Sequence, residues 1–234
     1  MNSLTVMQPY FFPYIGYFQL IKVVDKFVFY DDVNFIKNGW INRNRILING
    51  HPKYFTVPCK DVSSYKKIKD IEHGLNQRVR KKLLKKIKFT YSNAPYFDEV
   101  YEVVKQVLAL RTDYINELAM QSVKKSSEYL GITCSFLKSS QEFENQEYDT
   151  VDRLIDICRQ EEVDNLINPI GGKKLYQKEY FQERGINLHF LKAEKQEYKQ
   201  FGEDFIPWLS ILDVMMFNAP ARIKDGLLGR YTLQ

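Results

Sequence analysis

Residues 3–31 read SLTVMQPYFFPYIGYFQLIKVVDKFVFYD. The apolar run at 3–7 stops at Gln8-Pro9 and predicts a short buried strand. Pro9 and Pro13 can continue neither a sheet ladder nor a helix, so residues 8–13 form a loop. From about Gly16 to Val24 the apolar positions Phe18, Leu20, Ile21 and Val24 predict a helix. Residues 26–31 read as a second strand. Strand, helix and strand within about 30 residues make a βαβ unit, whose two strands run parallel.

Alternation of the same kind returns at the far end of the chain. It predicts a strand at 132–137, a helix at 149–161 capped near Asp149, and a strand at 165–169. A helix at 173–184, ended by Gly185, and a strand at 186–191 follow, and a last helix covers about 205–218. Between the two halves lies an insertion, about residues 38–130. It opens with a hairpin, 42–48 and 53–57, turned at Asn49-Gly50, a dipeptide suited to positive φ. Helices at 77–90, 97–110 and 113–130 complete it, with Gly131 closing the last. The expectation is one α/β domain over 1–234. Its core is a doubly wound, Rossmann-like parallel sheet of five strands, ordered 3-2-1-4-5 with right-handed crossovers.

Of the 234 residues, 44% are hydrophobic, 27% charged and 15% aromatic, with 16 Tyr and 16 Phe. This is a globular composition, and the aromatic excess suits a pocket for rings or sugars. A net charge of +5 falls short of a dedicated nucleic-acid binder and suits a phosphorylated ligand. Cys59, Cys134 and Cys158 have no metal spacing, and His51, His73 and His189 have no companion at ligand spacing, so no metal is expected. Free thiols, no signal peptide and no membrane-length apolar run point to the cytoplasm and to no integral membrane segment.

Ligands of open parallel sheets bind at the carboxyl ends of the strands, so the loops there hold the candidates. The first, residues 8–17, carries Gln8, Tyr10, Tyr14, Gly16 and Tyr17; it is either a ligand wall or an aromatic cap on the core. The second strand ends in Asp31-Asp32, followed by Lys37, Asn42, Arg43 and Asn44. A carboxylate there could act as a general base and the cations could hold phosphates; the other reading is an ion-pair network bracing the hairpin. Adjacent acids on an extended chain point to opposite faces, so one of the two is expected in the site. A third loop, Asn168 to Lys174, places Gly171, Gly172 and Lys173 before a helix, where backbone N–H groups can hold an anion.

The layout of strand, loop, helix and strand resembles nucleotidyltransferases and pantothenate synthetases of the HUP superfamily. There an HxGH motif ends the first loop; here Tyr14-Ile15-Gly16-Tyr17 stands in its place, with both histidines replaced. Five segments, MQPYFFPYIGYFQLI, YDDVNFIKNGWINRNRI, NAPYF, INPIGGKKLY and FGEDFIPWLSILDVMMFN, resemble the successive signatures of the WbqC-like family over nearly the whole chain. Members occur among genes for O-antigen and related polysaccharides, often beside genes for amino-dideoxy sugars. The resemblance implies a role in making or modifying a nucleotide-linked sugar, and the leading expectation built on it is an enzyme that acylates or aminoacylates the amine of a nucleotide-linked amino sugar. The donor would be a coenzyme A thioester, a carrier protein or an ATP-derived adenylate. Asp32 and Lys37 would be catalytic, and Gln8, Tyr10, Tyr14, Tyr17, Asn42, Arg43, Asn44, Gly171, Gly172 and Lys173 would bind substrate. The alternative is a non-catalytic subunit that binds a nucleotide sugar or a carrier protein.

Overall fold

The computed structural model describes residues 2–234. In chain order the elements open with β1 (Ser3–Met7), α1 (Ile15–Val23), β2 (Lys26–Phe29), β3 (Arg43–Ile48) and β4 (His51–Thr56). The helices α2 (Gln77–Tyr91), α3 (Phe97–Leu108) and α4 (Ile115–Tyr129) come next, then β5 (Ser135–Lys138), α5 (Ser139–Glu142), α6 (Thr150–Gln160) and β6 (Asn165–Pro169). Last come α7 (Lys178–Gln182), β7 (Asn187–Ala193), α8 (Ile211–Phe217), α9 (Pro220–Arg222) and β8 (Tyr231–Leu233).

The central sheet has six strands in the order β5-β2-β1-β6-β7-β8, not five. All neighbours are parallel except β8, which runs antiparallel to β7. The chain first builds leftward from β1 to β2 and β5, then crosses to β6 on the other side of β1. The order of strand addition therefore reverses at β1, the kind of position beside which open α/β sheets bind their ligands. The β3–β4 hairpin is a separate antiparallel pair. Its turn has positive φ at both Asn49 (51°) and Gly50 (75°), as a two-residue hairpin requires.

Alternation along the strands divides the core. Leu4, Val6 and Val28 face one side with Leu154 and Ile157 of α6 and Phe181 of α7. Phe27 and Phe29 face the other with α1, the hairpin and α2–α4. Period-two side chains on parallel strands buried on both faces are what a doubly wound sheet needs. Among the described residues no helix is long and apolar enough to cross a membrane.

Several boundaries depart from the sequence expectation. The last helix is Ile211–Phe217 rather than 205–218. Pro207 disfavours helical backbone at Ile206, Trp208 has φ of +60°, and Ser210 starts the helix by accepting the Leu212 N–H at 3.2 Å. Residues 173–184 do not form one helix: a 3-10 turn over Ile170–Lys174 precedes the short α7. The third parallel strand sits later, at Ser135–Lys138, because the chain after Gly131 (φ +64°) stays irregular until it reaches the edge of β2.

Candidate active site

The residues after β2 are the most polar part of the interior. Asp31 and Asp32 are both buried, at 0% and 2% exposure. Asp31 accepts hydrogen bonds from Asn116 Nδ2 on α4 (2.9 Å) and from the Ser140 N–H and Oγ on α5 (3.0 and 2.9 Å). Asp32 accepts from Ser139 Oγ at 2.6 Å and Gln146 Nε2 at 3.0 Å, and forms an ion pair with Arg153 of α6. The Arg153 guanidinium lies 4.6 Å from the centre of the Tyr30 ring, and its Nε donates to Asn145 Oδ1 at 2.7 Å.

Burial alone would push the Asp32 carboxyl up. The hydrogen bonds from Ser139, Arg153 and Gln146 and the Arg153 charge outweigh it and hold Asp32 below the usual carboxylate range. Asp32 is thus an ionised anchor for Arg153, with donors on both its oxygens, rather than a carboxylate presented freely to a ligand. At Tyr30 the balance goes the other way: burial keeps the phenol pKa raised despite Arg153.

This pair lines a cleft of about 270 Å³, whose walls include Tyr30, Asp32, Asn34, Lys67, Gln146, Tyr148, Thr150 and Arg153. Thr150 is the first residue of α6, whose N-cap Asp149 accepts the Val151 and Asp152 N–H groups. Arg153 and Lys67 bring positive charge to the cleft, partly offset by Asp32 and by Asp149, which already occupies the N–H groups at the start of α6, and Tyr30 and Tyr148 offer ring faces.

A second cleft, about 420 Å³, holds Lys37, Asn42 and Arg43 with Phe35, Thr56 and Cys59. Residues 33–35 pass between the two: Val33 and Asn34 line the first and Phe35 the second. Lys37 is exposed. Arg43 donates to the Gly39 carbonyl at 3.1 Å and to the Asn38 carbonyl, and stacks 4.3 Å over the Tyr54 ring. Asn42 Nδ2 donates to the Val57 carbonyl at 2.8 Å. Burial pushes the Cys59 thiol up to about 12, which leaves little thiolate at neutral pH. Asp32 and Lys37, both expected to be catalytic, therefore line different clefts.

The first loop is mainly a support. Tyr17 is fully buried and donates to the Gln8 carbonyl at 2.8 Å. Asn44, 4% exposed, donates to the carbonyls of Phe12 (3.0 Å) and Phe11 (3.4 Å), holding a turn in which Phe12 has φ of +41°. Tyr17 and Asn44, expected to meet substrate, instead brace the loop. Tyr10 and Tyr14 are half-buried; Tyr10 packs on Tyr17 and Tyr14 meets Trp208 edge-on at 6.1 Å. Among the described residues Gln8 Oε1, just past the end of β1, and Asn168 Oδ1 on the neighbouring β6 are buried with no hydrogen-bond partner, the first directly after the strand where the order reverses and the second beside it.

Gly171, Gly172 and Lys173 line neither cleft. Positive φ occurs at neither glycine, and a Cβ at Gly171 would meet nothing within 4 Å. Lys173 reaches Gln234 Oε1 at 2.8 Å instead. Sequence reasoning passed over Tyr30, Ser139, Gln146 and Arg153. One signal was available: Arg153 sits on the apolar face of α6 with Leu154 and Ile157, where an unpaired charge would be costly. Among the described residues no group of three His, Cys, Asp or Glu side chains could hold a metal ion.

A family profile described as the WbqC-like protein family matches residues 8–225, and the chain belongs to that family. Among curated proteins it is similar to "Uncharacterized protein Rv1507c" of Mycobacterium tuberculosis, 27% identical over 250 positions that cover both chains in full. No solved structure matches.

Proposed function

We propose that this WbqC-like protein is a cytoplasmic enzyme of surface-polysaccharide synthesis that transfers an acyl or aminoacyl group to the amine of a nucleotide-linked amino sugar. The observation that carries the reading is the Asp32–Arg153 pair beside an open cleft at the end of β2. An apolar pair of the same volume would cost less to bury, so an ion pair kept at a cleft suits a ligand that needs the charge. Arg153 and Lys67 hold the diphosphate, while Tyr30 and Tyr148 flank a ring. Asp32 acts through Arg153 as a positioning residue.

In the reaction the sugar nitrogen attacks the acyl carbonyl. The new C–N bond forms as the bond to the donor's sulfur or phosphate oxygen breaks, the donor leaves with the electron pair, and the amine proton passes to a base. The departing thiolate or phosphate, or water, takes that proton, and Lys37, exposed in the neighbouring cleft, is proposed as the catalytic cation that meets the charge developing on the carbonyl oxygen. A coenzyme A thioester or a carrier-bound thioester is the proposed donor. The HUP-like layout supports a variant in which ATP first makes an acyl adenylate, with Tyr14 and Tyr17 where that superfamily carries histidines. Tyr17 is buried against its own loop, so it offers such an intermediate no donor.

The donors already on both oxygens of Asp32 favour a second reading, a subunit that binds a nucleotide sugar without chemistry. Incubation with nucleotide amino sugars and each class of donor, followed by mass spectrometry, separates the two. An acyl mass increment on the sugar nucleotide supports the enzyme. Saturable binding with no product supports the binder, and no binding at all ends both.

A further inference from the structure

Helix α2 carries seven basic residues and no acidic one over Gln77–Tyr91. Leu83, Ile87, Thr90 and Tyr91 are buried against the core. Arg78, Lys81, Lys82, Lys85 and Lys88 are exposed, and Phe89 beside them is 72% exposed. Among the described residues none of those five cations forms an ion pair, whereas Lys86 on the flank is tied to the Tyr54 carbonyl at 2.6 Å. Like charges at i, i+3 and i, i+4 repel one another, so the stripe weakens the helix that bears it. A merely solvated helix face has no need of a single sign.

We infer that the exposed face of α2 is the docking surface for a small acidic carrier protein, the donor in the acyl-transfer reading on which this inference rests. The stripe from Arg78 to Phe89 is about 16 Å long, the length of three turns of a partner helix. At its far end Phe89, Leu47 and Phe201 wall a groove of about 470 Å³ next to the hairpin turn. A carrier's acidic helix can lie along the cations while one apolar side chain enters that groove. A bilayer is flat on this scale and enters no groove. Four of the five cations are lysines, and one aromatic accompanies them, which is poor equipment for stacking the bases of RNA. The surface is also joined to the clefts: Lys86 holds Tyr54, and Tyr54 carries the Arg43 guanidinium.

The test titrates the full chain with a purified, fluorescently labelled acyl carrier protein, with anionic vesicles and a single-stranded RNA as parallel probes. Saturable one-to-one binding to the carrier is expected, falling steeply as salt rises from about 50 to 500 mM. Lys82→Glu with Lys85→Glu weakens it at least about tenfold at low salt and little at high salt, since screening has already removed those contacts. Phe89→Ala weakens it about threefold to tenfold at either salt, because the groove contact is apolar. Unchanged melting curves show that the variants fold. Absent carrier binding, or carrier binding indifferent to the double reversal, overturns the inference. So does binding of vesicles or RNA, but not carrier, that the double reversal abolishes. Transfer from a coenzyme A thioester without carrier binding leaves the reaction standing and removes the dock. Carrier binding without transfer does the opposite.

Discussion

Replacing Asp32 by Ala tests whether the acid at the end of β2 is an anchor or a base. Its side chain is 1% exposed and that of Arg153 5%, so the variant strands a buried guanidinium. Removing one partner of such a pair costs about 3–5 kcal/mol, a large part of the roughly 5–15 kcal/mol that holds a domain together. At about 2–4 °C per kcal/mol for a chain of this size, Tm should fall by about 6–20 °C. Asp32→Asn keeps the shape, and its amide oxygen can still accept from Gln146 and Arg153 with its N–H groups toward Ser139 Oγ, but it removes the charge opposite Arg153 and should lose part of the same stability. Asp32→Leu with Arg153→Met removes both charges and should recover most of the loss. The assay is denaturant unfolding of each variant, with nucleotide-sugar binding expressed per folded molecule. In pH the sign is fixed by the lowered pKa of Asp32. Its contribution is fully present above the unfolded carboxyl value of about 4, and is lost as pH falls through the lower folded value. If Asp32→Ala loses less than about 1 kcal/mol while turnover collapses, the anchor reasoning is wrong and the general-base role returns.

Other perturbations probe the supports around the clefts. Asn44→Ala leaves the Phe11 carbonyl without its amide donor and the Phe12 carbonyl with the Ser210 hydroxyl alone, and should cost about 0.5–1.5 kcal/mol by denaturant unfolding; no measurable loss would mean the aromatic loop holds itself. Gly171→Ala should be neutral or stabilise by up to about 1 kcal/mol, whereas Gly185→Ala, at φ +81°, should destabilise by about that much or more; equal effects on Tm would contradict the backbone argument. Asp213 is buried among Tyr91, Tyr198 and Gln200, and burial outweighs their hydrogen bonds and raises its carboxyl pKa. Its contribution is fully present below the unfolded value of about 4 and is lost as pH rises through the folded one. The stability difference between wild type and Asp213→Asn should therefore shift against wild type as pH rises from about 4 to 7, and a flat difference would refute it.

The parts of the fold that were legible are those set by local chemistry. Pro9 and Pro13 mark the loop after β1, Asn49-Gly50 marks the hairpin, and Asp149 caps α6 with bonds of 2.9 and 3.0 Å to the Val151 and Asp152 N–H groups. The last helix is shorter than the apolar run Phe205, Ile206, Trp208, Leu209, Leu212 and Met216 suggests, because Pro207 interrupts that run. Three residues of β8 carry no strand signal of their own; they pair because β7 leaves an open edge. In the site, the Asp31-Asp32 step was visible and its partners were not. Ser139, Gln146 and Arg153 lie 107 to 121 residues away, and nothing local says which acid a distant hydroxyl, amide or guanidinium will meet. Tyr17 and Asn44 show the opposite case: polar residues in a loop look like ligand groups in the sequence, and tertiary packing gives them the loop's own carbonyls as partners.

Three buried carboxylates join segments that are far apart in the chain. Asp31 ties the end of β2 to α4 and α5, and Asp32 ties it to α6. Asp213 of α8 joins Tyr91 of α2 to the loop at Tyr198 and Gln200, and the Tyr91 hydroxyl in turn accepts the Leu47 N–H of the hairpin at 3.3 Å. The inserted hairpin and helices are thus fastened to the sheet by charged groups as well as by apolar packing. At Asp32 the fastening and the cleft share one side chain. A change there moves Arg153, which lines the cleft, and the start of α6 together. Loss of ligand binding in an Asp32 variant is therefore evidence about binding only after the folded fraction is measured. Lys37, exposed and outside this network, is the cleaner probe of chemistry: Lys37→Gln should leave Tm within about 1 °C while removing the cation proposed to meet the charge on the reacting carbonyl oxygen, and unchanged turnover would end that role.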